Sequence, residues 1–154
     1  MPHMLYYLIY FSQAVKMMDE DELLYLLEQS RTYNQVHDIT GMLIYLEGRF
    51  LSKKEGRFMQ VLEGSEYEVN QIFDKIKGDP RHHHVIILEE GPLNERHFHT
   101  WTMGFKSMQL EEYRSITGFF EVDDSFIAKE DFKTTNKALK FLRSFYQTNK
   151  DYNS

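Results

Sequence analysis

Hydrophobic and polar positions along the chain alternate between two periods, and the elements follow from them. Met4 to Ser12 is rich in Tyr, Leu and Ile, as in a mostly buried strand whose Leu8, Tyr10 and Ser12 share one face. Asp19 followed by Glu22 forms a capping pattern, and Leu23, Leu24, Leu27 and Ser30 recur at helical spacing towards a stop near Asn34. Thr40-Gly41 opens an apolar run from Met42 to Leu46, and Phe58 to Glu63 forms another, so the two are expected to pair as a hairpin. Ser65 and Glu68 cap a second amphipathic helix carrying Val69, Ile72, Phe73 and Ile76 and ending near Gly78. Val85 to Leu88 and Trp101 to Phe105 supply two further strands, separated by a polar connection containing Gly91-Pro92.

The order βαββαββ predicts an α+β, ferredoxin-like sheet with both helices on one face. The opposite face then needs a cover. Ala138, Leu139, Phe141, Leu142, Phe145 and Tyr146 form an apolar stripe at helical spacing, suited to docking there or against a second subunit, with docking on its own sheet the favoured reading. The expected division is a domain over residues 1–106 and a C-terminal helical extension over residues 107–154, without a second catalytic domain.

One internal repeat interrupts the hairpin: Glu47-Gly48-Arg49-Phe50 returns as Glu55-Gly56-Arg57-Phe58. A tandem duplication here reads as a lengthened hairpin tip, because loop insertions cost little entropy.

Composition narrows the function. A hydrophobic fraction of 42%, with twelve Phe and ten Tyr, marks a globular chain. A net charge of −6 argues against nucleic-acid or anionic-membrane surfaces, which need clustered Lys and Arg. No apolar run suits a bilayer span, no secretory signal pattern opens the chain, and cysteine is absent, so a cytosolic protein without thiol chemistry is expected. His82, His83 and His84, with His97 and His99, raise the possibility of a metal site; three adjacent histidines on a strand alternate faces and chelate poorly, so no metal is assigned. No glycine-rich phosphate loop or nucleophile-plus-base pair suggests an enzyme.

The informative positions are polar groups in apolar settings. Gln60 sits between Phe58 and Leu62 on the same face of a buried strand, and its amide requires partners. Tyr10 poses the same question on the first strand, and Asn34 offers a third polar group just after the first helix, where it could equally act as a C-cap.

In sequence order, Leu8-Ile9-Tyr10-Phe11-Ser12, Asn34 with Ile39-Thr40-Gly41, Phe58 to Gly64, Asp79-Pro80-Arg81-His82, and Trp101-Thr102-Met103 resemble the BLUF family, sensors of blue light that use FAD, over about residues 4–106. The resemblance implies a non-covalent FAD clasped by the two helices and a photoreceptor rather than an enzyme. It makes Tyr10 the donor of an electron and proton, with Gln60 between that phenol and the flavin. Asn34 and Ser12 take orienting roles, Lys75, Arg81 and His82 lie towards the cofactor, and Trp101 and Met103 relay the signal. It further implies oligomerisation or an unidentified protein partner as the output. The rival reading is a light-insensitive flavin-binding or interaction module on the same fold. The duplication leaves two registers, placing either Ser52 or Gln60 at the flavin; Gln60 is chosen because only the second copy continues into Met59-Gln60-Val61-Leu62-Glu63-Gly64.

Overall fold

The computed structural model of the chain describes residues 4–50 and 53–115, together with Leu139 and Leu142. Among the described residues five strands, β1 (Leu5–Ala14), β2 (Thr40–Phe50), β3 (Lys53–Ser65), β4 (His82–Leu93) and β5 (Gly104–Gln109), form one sheet in the order β4-β1-β3-β2-β5. Helices α1 (Glu20–His37) and α2 (Glu66–Lys77) interrupt it, and a short α3 (Leu110–Arg114) follows β5. The first four strands pair antiparallel, whereas β5 runs parallel to β2 along the outer edge. This is the expected ferredoxin-like arrangement, with α1 and α2 on one face.

The strand period sorts side chains onto two cores. Leu8, Tyr10, Leu43, Leu62 and Met103 pack with Leu23 and Leu27 of α1 and Val69, Ile72 and Phe73 of α2. Ile9, Phe11, Ile44, Met59 and Val61 face the other way and pack with Trp101, Met108, Leu110, Tyr113, Leu139 and Leu142. Leu139 and Leu142 are helical and buried there. The remaining stripe residues, Ala138, Phe141, Phe145 and Tyr146, lie outside the described residues.

Both helix starts follow from local chemistry. The Asp19 side chain accepts from Glu22 N, and Glu22 returns the bond to the Asp19 N–H, a complete capping box. Ser65 accepts from Glu68 N, but the Glu68 carboxylate turns instead to His37 of α1. Helix α1 also runs one turn farther than its apolar spacing suggests. Asp38 closes it in the left-handed region at φ 56°, and the N–H groups of Asp38 and Ile39 both bond the Asn34 carbonyl. Asn34 therefore lies inside α1, one turn from its end, and is not its C-cap.

Two strand boundaries also differ from the expectation. Gly91-Pro92 belongs to β4 rather than to a connection. As an edge strand, β4 tolerates the missing proline N–H. The fifth strand starts at Gly104, so Trp101, Thr102 and Met103 form a bent segment leading into it. Hydrophobicity alone did not separate the bend from the strand because both bury apolar side chains.

The duplication becomes ladder. Pairing of β2 with β3 continues through Glu47↔Gly56 and Gly48↔Glu55 to Phe50↔Lys53, so the two Glu-Gly pairs face each other across the hairpin. Gly56 is needed at this point, since a Cβ there would meet the Tyr45 ring. The register also sets Gln60 opposite Tyr10 on β1 and Leu43 on β2; Ser52 lies outside the described residues.

Candidate functional site

A cleft of about 230 Å³ opens over the sheet between α1 and α2. Leu26 and Tyr33 of α1 face Ile72 and Ile76 of α2 across it, and Tyr10, Leu43, Phe58 and Gln60 form the floor. Its rim is polar, with Gln29, Ser30, Lys75, Asp79, Arg81 and His82. Apolar walls with a few polar groups at the base suit a flat heteroaromatic ring.

At the base, the Tyr10 hydroxyl donates to Gln60 Oε1 at 2.5 Å, and Gln60 Nε2 donates to Met103 Sδ at 3.3 Å. Tyr10 and Gln60 are 4% exposed, so these bonds are shielded from water. Burial above all, with a smaller contribution from Asp79, pushes the Tyr10 phenol well above the ordinary tyrosine value. The phenol is neutral and keeps its proton on the bond to Gln60.

The segment after β4 is tied down at three points. Asn34 Nδ2 donates to Thr102 O at 2.6 Å, Arg31 Nε to Met103 O at 2.9 Å, and Gly41 N to Trp101 O at 2.9 Å. Met103 thus faces Gln60 on the helix side of the sheet, while Trp101 packs on the opposite side, 6.0 Å from Phe98 between ring centroids.

Ser12 does not touch the Tyr10–Gln60 pair. Its buried hydroxyl pairs with His82 Nδ1 at 2.7 Å, while His82 Nε2 reaches Ile76 O at 2.5 Å, so the imidazole braces the end of α2 against β1. His83 and His84 are exposed. Among the described residues no three His, Asp or Glu side chains converge as a metal site. Arg81 lines the rim, but its guanidinium is held by Asp79 and donates to Gln29 Oε1 at 3.0 Å. The Arg81 hydrogen bonds in turn hold the Asp79 carboxyl below its usual range. Lys75 Nζ lies 4.5 Å from the Tyr33 ring centroid, and Tyr33 stacks on His37 at 4.0 Å.

One cluster escaped the sequence reading. Glu63 is fully buried on β3, with Oε1 accepting from Thr40 Oγ1 at 2.9 Å and Phe98 N at 3.0 Å, and Oε2 from His97 N at 2.7 Å. Arg96 completes it by donating to Thr40 Oγ1 at 2.8 Å and to Asp38 O at 2.9 Å. The available signal was a carboxylate at the end of the apolar run Phe58 to Leu62, whose charge demands donors.

The model of the BLUF family, described as sensors of blue-light using FAD, matches residues 5–104. The chain belongs to the BLUF family.

The photoactivated adenylate cyclase subunit beta of Euglena longa is 32% identical over 97 residues, 62% of this chain and 10% of the cyclase subunit. The blue light- and temperature-regulated antirepressor BluF of Escherichia coli is 29% identical over 112 residues, 73% of this chain and 25% of the antirepressor. Among solved structures, the dark state of the BLUF protein BlrB superposes with a TM-score of 0.69 at 22% identity, covering 95% of this chain and 98% of that one, which shows the common fold. The photo-activated state of BlsA gives a TM-score of 0.67 at 25% identity, covering 92% of this chain and 94% of that one. The BLUF segment is that of a flavin-based blue-light sensor, and it spans only about a tenth of the length of the cyclase subunit it matches.

Proposed function

We propose that the chain binds FAD non-covalently between α1 and α2, and that light changes the hydrogen bonds of Gln60 to signal through Met103 and Trp101. The observation that carries this reading is the buried line Tyr10–Gln60–Met103 at the base of the cleft. A further feature suits a flavin: Asn34 Oδ1 is buried and has no hydrogen-bond partner among the described residues. Such an orphan acceptor costs about 1–3 kcal/mol and matches the ring N–H of an isoalloxazine.

A bound flavin supplies blue absorption and, when excited, an acceptor for an electron and a proton. Every other part belongs to the protein. Tyr10, neutral and shielded, holds its proton towards Gln60 Oε1 and can release both proton and electron. The Gln60 amide carries an acceptor and a donor at opposite corners, so turning or tautomerising it exchanges what Tyr10 and Met103 meet. Sδ of Met103 accepts weakly and cannot donate, so an amide oxygen turned towards it loses a bond and displaces the methionine. Met103, Thr102 and Trp101 share one short segment bonded to α1 and β2. Trp101 lies in the same far-side core as Leu139 and Leu142, which supports residues 107–154 as the relay to a protein partner or to self-association. Asn34 would hold the ring edge, His82 and Ser12 brace α2 at the mouth, and Lys75 and Arg81 would supply positive charge for the phosphates. Among the described residues no helix is long and apolar enough to cross a membrane, and the cysteine-free composition suits the cytosol.

The test is an absorption spectrum before and after blue light, with identification of the released flavin. A small red shift that recovers in darkness, and is lost in Tyr10→Phe and Gln60→Leu, is expected. A flavin spectrum unmoved by light would leave the light-insensitive module, and no uptake of added flavin would overturn the reading.

A further inference from the structure

The cleft of about 230 Å³ lies below the roughly 300–1,000 Å³ typical of sites enclosing a drug-sized ligand. It accommodates a ring system, and the rest of a dinucleotide must lie outside it. A second, open groove of about 590 Å³ adjoins it, sharing Gln29, Tyr33 and Lys75 as a common wall.

The groove follows the outer stripe of α1. Tyr25, Glu28, Gln29 and Thr32 fall at i, i+3, i+4 and i+7 and so form one continuous face. Tyr25 ends this face as a tyrosine 60% exposed, its hydroxyl oxygen accepting from Gln29 Nε2 at 3.3 Å. That bond fixes the phenol edge and leaves ring surface open. At the junction of the two spaces, Lys75 holds its ammonium over Tyr33. A helical rise of 1.5 Å per residue puts Tyr25 about 12 Å from Tyr33 along the axis.

We infer that this groove is a subsite for the adenosine diphosphate end of FAD, with Lys75 receiving the diphosphate and Tyr25 stacking on adenine. The inference rests on flavin occupying the cleft. Charge supports the order of groups along the groove, with the cation beside the cleft where the diphosphate emerges, and Glu28 farther along the wall as an acceptor for the adenine amine. Base-on-aromatic stacking is sequence-tolerant but strong enough to discriminate between flavins that possess and lack the base. The chain should therefore prefer FAD over FMN, and this preference should reside in Tyr25.

Fluorescence titration of the apoprotein with FAD, FMN and riboflavin separates the contributions. FAD is expected to bind about tenfold tighter than FMN, within the range that one base stacked on an aromatic ring supplies. Tyr25→Ala should bring the two affinities within twofold without altering that for FMN, whereas Tyr25→Phe, which keeps the ring, should retain the preference. Lys75→Met should weaken FAD and FMN and spare riboflavin. Equal binding of FAD and FMN by the unmodified protein, or a Tyr25→Ala loss shared equally by FMN, would overturn the subsite while leaving flavin binding intact. Failure of all three flavins to bind would overturn the underlying reading instead. Circular dichroism of each variant separates misfolding from a binding loss, and the comparison of FAD with FMN in the unmodified protein needs no variant at all.

Discussion

Replacing Glu63 by Gln changes one oxygen for an amide nitrogen and nothing else in shape, yet it should weaken the fold measurably. The carboxylate receives three donors, Thr40 Oγ1 and Phe98 N on Oε1 and His97 N on Oε2. A glutamine must present its NH2 to at least one of these N–H or O–H groups, so one bond is lost and two donors face each other in a dry site. A hydrogen bond to a charged group contributes about 1.5–3 kcal/mol, and a buried donor left without its acceptor adds about 1–3 kcal/mol. Relief of the buried charge's desolvation offsets part of this. A net loss of about 2 kcal/mol follows, corresponding to a Tm lower by about 4–8 °C for a chain of this size. Thermal unfolding followed by circular dichroism measures it. Thr40→Val removes one of the same three donors, so the double variant should lose less than the sum of the singles by about 1 kcal/mol. A Tm within 1 °C of the unmodified protein, or strict additivity, would refute the argument that Glu63 clamps the segment leading to Met103.

Four further outcomes are expected. Met103→Leu removes the Sδ acceptor of Gln60 while nearly conserving volume; it should cost less than about 1.5 kcal/mol of stability but slow dark recovery about fivefold, because a turned amide oxygen no longer meets sulfur lone pairs. Flash photolysis reads this, and an unchanged recovery rate would count against the amide rotation. Gly41→Ala places a Cβ against the Val61 carbonyl oxygen, and forcing β2 from β3 should destabilise by about 3 kcal/mol in urea unfolding. At the acid end, Arg81 depresses the Asp79 pKa below its ordinary 3.8, so the stabilisation is present above that value and is lost as pH falls through the folded value. The difference in urea midpoint between the unmodified protein and Asp79→Asn should accordingly be constant above about pH 5 and vanish at the lowest pH, and a difference persisting there would contradict it. At the alkaline end, burial raises Tyr7 and Tyr45 from 10.0 to about 12, so the unfolded chain ionises first and stability should fall between pH 10 and 12. Replacing either by Phe should flatten that decline in pH-dependent unfolding.

What the sequence determined by itself was whatever depends on period and near-neighbour chemistry. Alternation along Met4 to Ser12 and Phe58 to Glu63 specified strands and their buried faces, and the Asp19–Glu22 and Ser65–Glu68 spacings specified where both helices begin. Tyr10 and Gln60 were legible because a polar side chain on a buried face must be paired, and pairing restricts what can lie beside it. The tertiary structure decided what depends on groups distant in the chain. It placed Asn34 within α1 because Asp38 adopts the left-handed conformation that closes the helix one turn later. It bent the chain at Trp101–Met103, because Gly41, Asn34 and Arg31 capture three successive carbonyls that a strand would have paired differently. It turned Met103 rather than Trp101 towards Gln60, and it gathered Thr40, His97 and Phe98 around Glu63, which none of their local patterns announces. Periodicity tells which face a residue occupies. Only the closed sheet, with its register and its crossing segments, supplies the partners that a buried polar atom finds there.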